Sequence, residues 1–318
     1  MTILIPEEWA DSLAPRIHEV VPGATIQTVS EDGPPPETLK DAEVVLFHWR
    51  LGEEWLQELI NVAPNLKWVQ TLSAGVGYVL FPAMVKSDII LTNGSGVFDI
   101  PIAETVLAYM LTVVRDLPEF LKQQRAHEWK KRSLNELHGS TVGIVGMGSI
   151  GSEVARLAQA FGTRVLATKR HPEHGGERAD RVLPNDELPE LLAESDFIVI
   201  TAPLTEETQH LIDAQAFEQM KPGAWLINIG RGGIVDEEAL IDALREGRIA
   251  GACLDVFEEE PLPKDSPLWD LPNVIITPHN SGSTPKMEER EIDLFVENVR
   301  RYVSGDPMIN VVDKQTGY

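Results

Sequence analysis

The sequence is poor in cysteine, in basic residues and in long apolar runs. Its 318 residues include one cysteine, Cys253, which excludes a disulfide framework within the chain and is typical of a reducing cytoplasm. Lys and Arg number 27 against 50 Asp and Glu, and the resulting net charge of −23 disfavours nucleic acid and anionic lipid as partners. No run approaches the roughly 18 apolar residues of a membrane span. No membrane partner and no metal site are predicted.

Short apolar runs alternate with amphipathic stretches along the chain. The runs read "TILI", "AEVVLFH", "LKWVQTL", "IILTN", "TVGIVG", "RVLAT", "DFIVITAP", "AWLINIG", "GACLDVF" and "VIITPH". Alternation of this kind is typical of parallel sheets with crossover helices. The predicted fold class is therefore α/β, with two Rossmann-like, doubly wound parallel-sheet domains and a cleft between them.

The apolar runs form two series, which predict two domains. The first series ends near residues 92–96, and the second starts at Thr141. A helix is predicted between the two series, with Pro101 at its start. A last helix over residues 284–305 is expected to pack back on the first domain. The predicted boundaries are 1–99, completed by 285–318, for a substrate-binding (catalytic) domain, and 100–284 for a dinucleotide-binding domain.

A complete G-x-G-x-x-G pattern joins the strand "VGIV" to the helix "SEVARLAQAFG". Its glycines are Gly146, Gly148 and Gly151. The first permits a tight turn, the second lets a pyrophosphate approach the backbone, and the third lets helix and strand pack closely. The helix N-terminus offers unpaired N–H groups to phosphate. A glycine-rich turn without a ligand is the alternative, but the strand and helix around the motif favour dinucleotide binding.

The residues after the following strand indicate which dinucleotide is bound. NAD-binding folds place an Asp or Glu about 20 residues past the glycines to accept from the ribose 2′-OH. Here residues 167–171 read "ATKRH" and contain no acid. Because Lys169 and Arg170 would attract the 2′-phosphate, NADP(H) is favoured, and NAD(H) stays open as the alternative.

Three downstream residues suit reduction of a 2-keto acid. Arg231 and His279 each follow an apolar run, and Glu260 lies in "FEEEP" after a third. A histidine titrates near neutrality and can protonate the carbonyl oxygen, a carboxylate can orient it, and an arginine can bind the substrate carboxylate. Taken singly, each also fits a structural role, as a turn ion pair, a solvated acidic loop or a structural histidine.

Several motifs together resemble the D-isomer-specific 2-hydroxyacid dehydrogenase family. They are "LKWVQTLSAGVG", "IAETVLAYML", "GIVGMGSIG", "PLTEETQHLI", "MKPGAWLINIGRGGIVDEEALIDAL", "GACLDVFEEEPLP" and "NVIITPHNSG", in the family's order. The likeness runs from about residue 66 to 300. The "TKR" strand end is most similar to the NADPH-preferring glyoxylate and hydroxypyruvate reductases of the family.

The resemblance implies a role for each matching position. Arg231 would bind the substrate carboxylate and carbonyl, His279 would be the general acid/base, and Glu260 would pair with His279. Asp255 would meet the nicotinamide carboxamide. The substrate carboxylate would also contact the backbone around Ala74, Gly75 and Val76. The remaining dinucleotide contacts would come from Ser149, Ile150, Pro203, Thr208 and Ile229 beside the glycines, Lys169 and Arg170. The resemblance also implies a homodimer, with Trp129 on the segment used for dimer contacts.

One departure from the family's pattern and two alternative functions stay open at this point. The family's first-domain loop often reads "AGVD", whereas here Gly77 replaces the acid and Tyr78 follows, so the substrate is not fixed. The favoured function is an NAD(P)H-dependent 2-keto acid reductase of the glyoxylate or hydroxypyruvate type. One alternative is an NAD-dependent oxidative dehydrogenase of the phosphoglycerate or D-lactate type. The other is a dinucleotide-gated, corepressor-like binding protein.

Overall fold

The computed structural model describes residues 1–30, 35–173, 175–176, 178–315 and 317. The chain divides into two compact units, and each forms its own parallel sheet. The first unit comprises Met1–Phe98 and Thr284–Tyr318, and the second comprises Asp99–Ser283.

The bounds of the strands and α-helices are as follows. The strands are β1 (Thr2–Pro6), β2 (Thr25–Val29), β3 (Val44–Phe47), β4 (Trp68–Thr71), β5 (Ile90–Thr92), β6 (Thr141–Val145), β7 (Arg164–Thr168), β8 (Arg181–Leu183), β9 (Phe197–Ile200), β10 (Trp225–Asn228), β11 (Gly251–Leu254) and β12 (Val274–Ile276). The helices are α1 (Ala10–Val20), α2 (Gly52–Val62), α3 (Pro82–Lys86), α4 (Asp99–Val114), α5 (Leu117–Arg125), α6 (Ser149–Ala160), α7 (Leu188–Glu194), α8 (Ala214–Gln219), α9 (Glu237–Arg245) and α10 (Met287–Ser304).

The first unit has a parallel sheet in the order β2-β1-β3-β4-β5. Its central strands carry continuous apolar runs because both faces of the sheet are covered by helices. One face packs against α1 and against Phe295 and Val299 of α10, so the last helix returns to this unit. Asn298 ties α10 to the sheet, since its amide donates to Gln70 Oε1 at 2.9 Å.

The second unit has a parallel sheet in the order β12-β11-β10-β9-β6-β7-β8. Its order reverses between β6 and β9, and such a switch point is where open α/β sheets bind ligands at the carboxyl ends of their strands. The α/β class with two doubly wound parallel sheets is thus confirmed. No helix in the described parts of the chain is both long and apolar enough to span a membrane.

One strand in each sheet, β2 and β8, has no counterpart among the apolar runs of the sequence. β2 and β8 are edge strands, with a neighbour on one side only. In β2 only the last residue, Val29, is buried, and β8 is only three residues long. Neither segment needs a long apolar run, so neither gives a strong strand signal.

Candidate active site

The glycine turn after β6 lies at the switch point of the second sheet. Gly146 has φ of +99°, a left-handed conformation that favours glycine, and a Cβ there would lie 2.7 Å from the backbone of Ala202 after β9. A Cβ on Gly151 would lie 2.7 Å from the Gly146 carbonyl oxygen. These two glycines therefore let the turn and α6 pack closely against the strand ends.

The space over the start of α6 fits a pyrophosphate. Gly148 is the N-cap of α6, and no side chain caps the helix there. A Cβ built on Gly148 would meet nothing within 4 Å, so the backbone is open at the point where phosphate oxygens would accept from helix N–H groups. The three glycines thus match the three requirements of a dinucleotide turn, and the residues present fit this cofactor.

The predicted cationic residues, Lys169 and Arg170, directly follow β7. Thr168 is the last residue of β7, and its side-chain oxygen accepts from Gly146 N at 3.3 Å, which joins the strand end to the glycine turn. Lys169 follows directly, and Arg170 forms an ion pair with Glu207, with Nη2 and Oε2 at 2.6 Å. Sequence reasoning missed Glu207, because this carboxylate comes from the loop after β9, 37 residues further along the chain.

The other predicted dinucleotide residues surround the same turn. Ser149 donates to Asp99 Oδ1 at 3.2 Å from the first turn of α6, and Ile150 follows it in the same helix. The hydroxyl of Thr208 donates to the Pro203 carbonyl at 2.7 Å and closes the loop after β9. Ile229, directly after β10, is buried. Their contacts to a dinucleotide stay predictions.

Arg231 follows β10, and the Asn228 side chain forms hydrogen bonds with the backbone of Gly230 and Arg231. The Asn228 amide donates to the Arg231 carbonyl at 3.1 Å, and the Asn228 side-chain oxygen accepts from Gly230 N at 3.1 Å. A Cβ on Gly232 would lie 1.9 Å from the Phe257 carbonyl, so only glycine lets this loop contact the loop after β11. The Arg231 side chain is exposed.

His279 and Glu260 form a hydrogen-bonded pair. His279 Nδ1 lies 2.7 Å from Glu260 Oε2, and the other carboxylate oxygen accepts from Phe257 N at 3.1 Å. A carboxylate only accepts, so Nδ1–H donates and Nε2 faces away from this bond. The side chain of His279 is 49% exposed, which leaves the ring accessible to a substrate.

Asp255 fixes the turn that carries His279. Its side chain is completely buried, and its oxygens accept from Thr277 Oγ1 at 2.5 Å and from the amides of Asn280 and Ser281 at 2.9 Å each. The Asp255 carbonyl also accepts from His279 N at 2.8 Å. This carboxylate has no exposed surface in the structure, so its predicted contact with a nicotinamide carboxamide stays a prediction.

Tyr109 of α4 extends this network. The single hydroxyl hydrogen of Thr277 goes to Asp255, so the Tyr109 hydroxyl must donate to Thr277 Oγ1. Burial raises the pKa of Tyr109 to about 12, which keeps this phenol protonated and able to donate. Tyr109 lies within the motif "IAETVLAYML", but its residue type and spacing alone did not predict this contact.

The pocket around Arg231 contains a second histidine and carboxylate pair. Arg231, Glu260 and His279 line a pocket of about 380 Å³ together with His210 and Glu258. His210 Nε2 lies 3.0 Å from Glu258 Oε1. The triad residues meet here because β12, β11 and β10 are neighbours and each residue follows one of these strands. Sequence reasoning missed the second pair.

The predicted substrate loop belongs to the first unit. The Asn93 amide donates to the Ala74 carbonyl at 2.9 Å, and Ser73 Oγ donates to the Gly75 carbonyl at 2.8 Å. The Tyr78 hydroxyl lies 2.8 Å from Ser73 Oγ and therefore donates to it, so the tyrosine after Gly77 adds a hydrogen bond within this loop. The side chain of Val76, the third predicted residue of this loop, is buried.

Comparison with known proteins shows the family. Residues 107–281 match the model described as D-isomer specific 2-hydroxyacid dehydrogenase, NAD binding domain. The chain is 41% identical over 266 residues to glyoxylate/hydroxypyruvate reductase B of Pectobacterium carotovorum subsp. carotovorum, covering 81% of this chain and 82% of that protein. A solved D-isomer specific 2-hydroxyacid dehydrogenase from Xanthobacter autotrophicus Py2, in complex with NADPH and MES, superposes with a TM-score of 0.85 at 30% identity, over 100% of this chain and 99% of that one.

A third relative is much longer than this chain. The D-3-phosphoglycerate dehydrogenase of Methanocaldococcus jannaschii is 35% identical over 280 residues, which are 87% of this chain and 53% of that protein. The chain thus spans about half the length of that relative. The fold and these matches define an NAD(P)-dependent oxidoreductase that acts on 2-hydroxy acids. The chain belongs to the D-isomer-specific 2-hydroxyacid dehydrogenase family, as its motifs predicted.

The hydrogen bond from Tyr109 to the turn of His279 can be tested with Tyr109→Phe. Loss of one buried hydrogen bond is expected to lower the free energy of unfolding by about 1 kcal/mol and kcat by about two- to tenfold, because the turn becomes less rigid. Unfolding in urea and initial rates check both effects. Tyr302→Phe, in the first unit, is the matched control and should leave kcat unchanged. Equal kcat in the two variants would remove Tyr109 from the positioning of His279.

Proposed function

We propose that this chain reduces small 2-keto acids with NADPH in the cytoplasm, with glyoxylate and hydroxypyruvate as the first substrates to assay. The hydrogen bond of 2.7 Å between His279 Nδ1 and Glu260 Oε2, in a pocket shared with Arg231, carries the proposal. Support for the substrates comes from the relative named glyoxylate/hydroxypyruvate reductase B. Support for the cofactor comes from the cationic end of β7 and from the related structure that binds NADPH.

The proposed mechanism uses the exposed groups of the pocket. The Arg231 guanidinium binds the substrate carboxylate and polarises the adjacent carbonyl. Ala74, Gly75 and Val76 contribute backbone groups to the same carboxylate. NADPH held by the glycine turn after β6 and by the cationic end of β7 would supply the hydride for C2 of the substrate. His279 Nε2 donates a proton to the carbonyl oxygen, and the Glu260 carboxylate stabilises the imidazolium and fixes its orientation.

The same groups would also catalyse the reverse reaction, since a neutral His279 can accept the proton of the substrate hydroxyl. The oxidative alternative with NAD therefore differs in the cofactor and not in the catalytic residues. A corepressor-like role would need no turnover, so measurable reduction of any 2-keto acid excludes a purely binding role. The family match and the His279–Glu260 pair favour an enzyme over the corepressor-like alternative. The cationic end of β7 and the related NADPH complex favour the reductase over the NAD-dependent alternative.

The role of His279 can be separated from that of the other pocket histidine. His279→Ala is expected to lower kcat for 2-keto acid reduction by about 10²- to 10⁴-fold, because the proton donor is lost. The dissociation constant of NADPH should change less than about twofold. Stopped-flow absorbance of NADPH gives kcat, and fluorescence titration gives the dissociation constant.

His210→Ala is the matched control for this experiment. It removes a histidine that lines the same pocket and that also pairs with a glutamate, at 3.0 Å. We expect at least a tenth of the wild-type kcat in this variant. A control variant as impaired as His279→Ala, or normal turnover in His279→Ala, would contradict the assignment of the proton donor.

The proposed preference for NADPH depends on Arg170. Arg170→Ala is expected to raise the dissociation constant of NADPH at least tenfold and that of NADH less than twofold, because only NADPH carries the 2′-phosphate that a guanidinium clamps. Titration of both cofactors against the substrate-free enzyme measures the two constants. Equal weakening of NADPH and NADH would argue against a 2′-phosphate site at the end of β7.

We also propose a homodimer. Leu121 of α5 is 54% exposed, and Trp129, which follows this helix, is 95% exposed. Large apolar side chains so fully exposed are typical of surfaces that a partner covers. A second copy of the chain is the proposed partner.

Sedimentation velocity tests the dimer. The wild-type chain should sediment at twice the mass of one chain, and Trp129→Arg should weaken the association at least tenfold, because a charge would then be buried. Phe161→Arg is the control, since Phe161 is also an exposed apolar residue, at 42%, but lies elsewhere, after α6. A wild-type chain of monomer mass at micromolar concentration would overturn the proposal.

A further inference from the structure

The ion pair between Arg170 and Glu207 spans the carboxyl end of β6. Arg170 follows β7, and Glu207 lies in the loop after β9. In the sheet, β6 lies between β9 and β7 and leads into the glycine turn. The two side chains thus approach each other from opposite sides of the strand whose turn fits a dinucleotide.

Dinucleotide geometry places the adenosine ribose at this same point. With its pyrophosphate at the start of α6, a dinucleotide of this fold directs its ribose to the end of the strand that follows the glycine helix, which here is β7. The 2′-phosphate of NADPH would therefore have to reach Arg170 where the Glu207 carboxylate now lies, 2.6 Å from its guanidinium. Phosphate and carboxylate are both anions, and each offers oxygens to the same N–H groups.

We propose that Glu207 is an internal competitor of the 2′-phosphate for Arg170 and so sets how strongly the enzyme prefers NADPH over NADH. This inference rests on the proposed NADPH site. Binding of NADPH breaks the Arg170–Glu207 pair and brings a second anion close to Glu207, whereas NADH leaves the pair intact. Glu207 therefore lowers the affinity for NADPH and has little effect on that for NADH.

The exposure of the pair sets the size of the effect. The side chain of Arg170 is 39% exposed and that of Glu207 is 71% exposed, so solvent and salt weaken their attraction. Exposed pairs contribute roughly 0 to 1 kcal/mol, or up to about fivefold in an equilibrium constant. Relief of the repulsion between Glu207 and a 2′-phosphate adds to this, so a gain of about three- to tenfold is expected on removal of the charge.

Glu207→Gln tests the inference through binding alone. NADPH and NADH are titrated against the substrate-free enzyme, with nicotinamide fluorescence or calorimetry as the readout. The variant should bind NADPH about three- to tenfold more tightly than the wild type, and its NADH dissociation constant should change less than twofold. Glu206→Gln is the matched control. It removes one charge from the neighbouring exposed residue, for which no ion pair occurs among the described residues, and it should change both constants less than twofold.

A double-mutant cycle with Arg170→Ala separates this inference from the function on which it rests. In the Arg170→Ala background, Glu207→Gln should improve NADPH binding less than it does in the wild type, because the competition for the guanidinium is gone. If Arg170→Ala fails to weaken NADPH selectively, the proposed NADPH site is wrong. If Arg170→Ala behaves as expected but Glu207→Gln leaves NADPH affinity unchanged, or improves it equally in both backgrounds, the proposed competition is wrong and the site stands.

Discussion

The buried carboxylate of Asp255 is the constraint on which the geometry of the catalytic pocket depends. An ionised group without solvent contact must find its hydrogen bonds within the protein. Asp255 finds them in Thr277 and in the amides of Asn280 and Ser281, so the chain after β12 must turn closely around it. That turn carries His279 and so places it within hydrogen-bond distance of Glu260, which lies in the loop after β11. A rigid turn is what proton transfer requires, since small errors in position are costly.

The sequence predicted ten of the twelve strands of the described residues because these strands carry continuous apolar runs. Their runs follow from burial on both faces of parallel sheets, a requirement that the sequence must meet locally. The edge strands β2 and β8 are only partly buried and contain polar residues, so they give no continuous apolar run and were not predicted. The pairing order of the strands also lay beyond local patterns, because it depends on long-range contacts.

The candidate site shows the same division between local and spatial information. Arg231, Glu260 and His279 were identified from residue type and motif, each at the end of an apolar run. Their meeting in one pocket depends on the adjacency of β10, β11 and β12, which no local pattern contains. The cationic window at residues 167–171 contains no acid in sequence, yet Glu207 supplies one in space. Under the proposed competition between Glu207 and the 2′-phosphate, cofactor choice depends on a balance of charges from separate loops.

Transfer of hydride to C2 of a 2-keto acid is tested most directly by tracing deuterium. The enzyme receives hydroxypyruvate and NADPH that carries deuterium at both positions of nicotinamide C4, and mass spectrometry with chiral chromatography analyses the product. We expect the D-2-hydroxy acid with one deuterium at C2 and a hydroxyl hydrogen from solvent. A product of L configuration, a product without deuterium at C2, or no reduction of any 2-keto acid would contradict the proposed reaction.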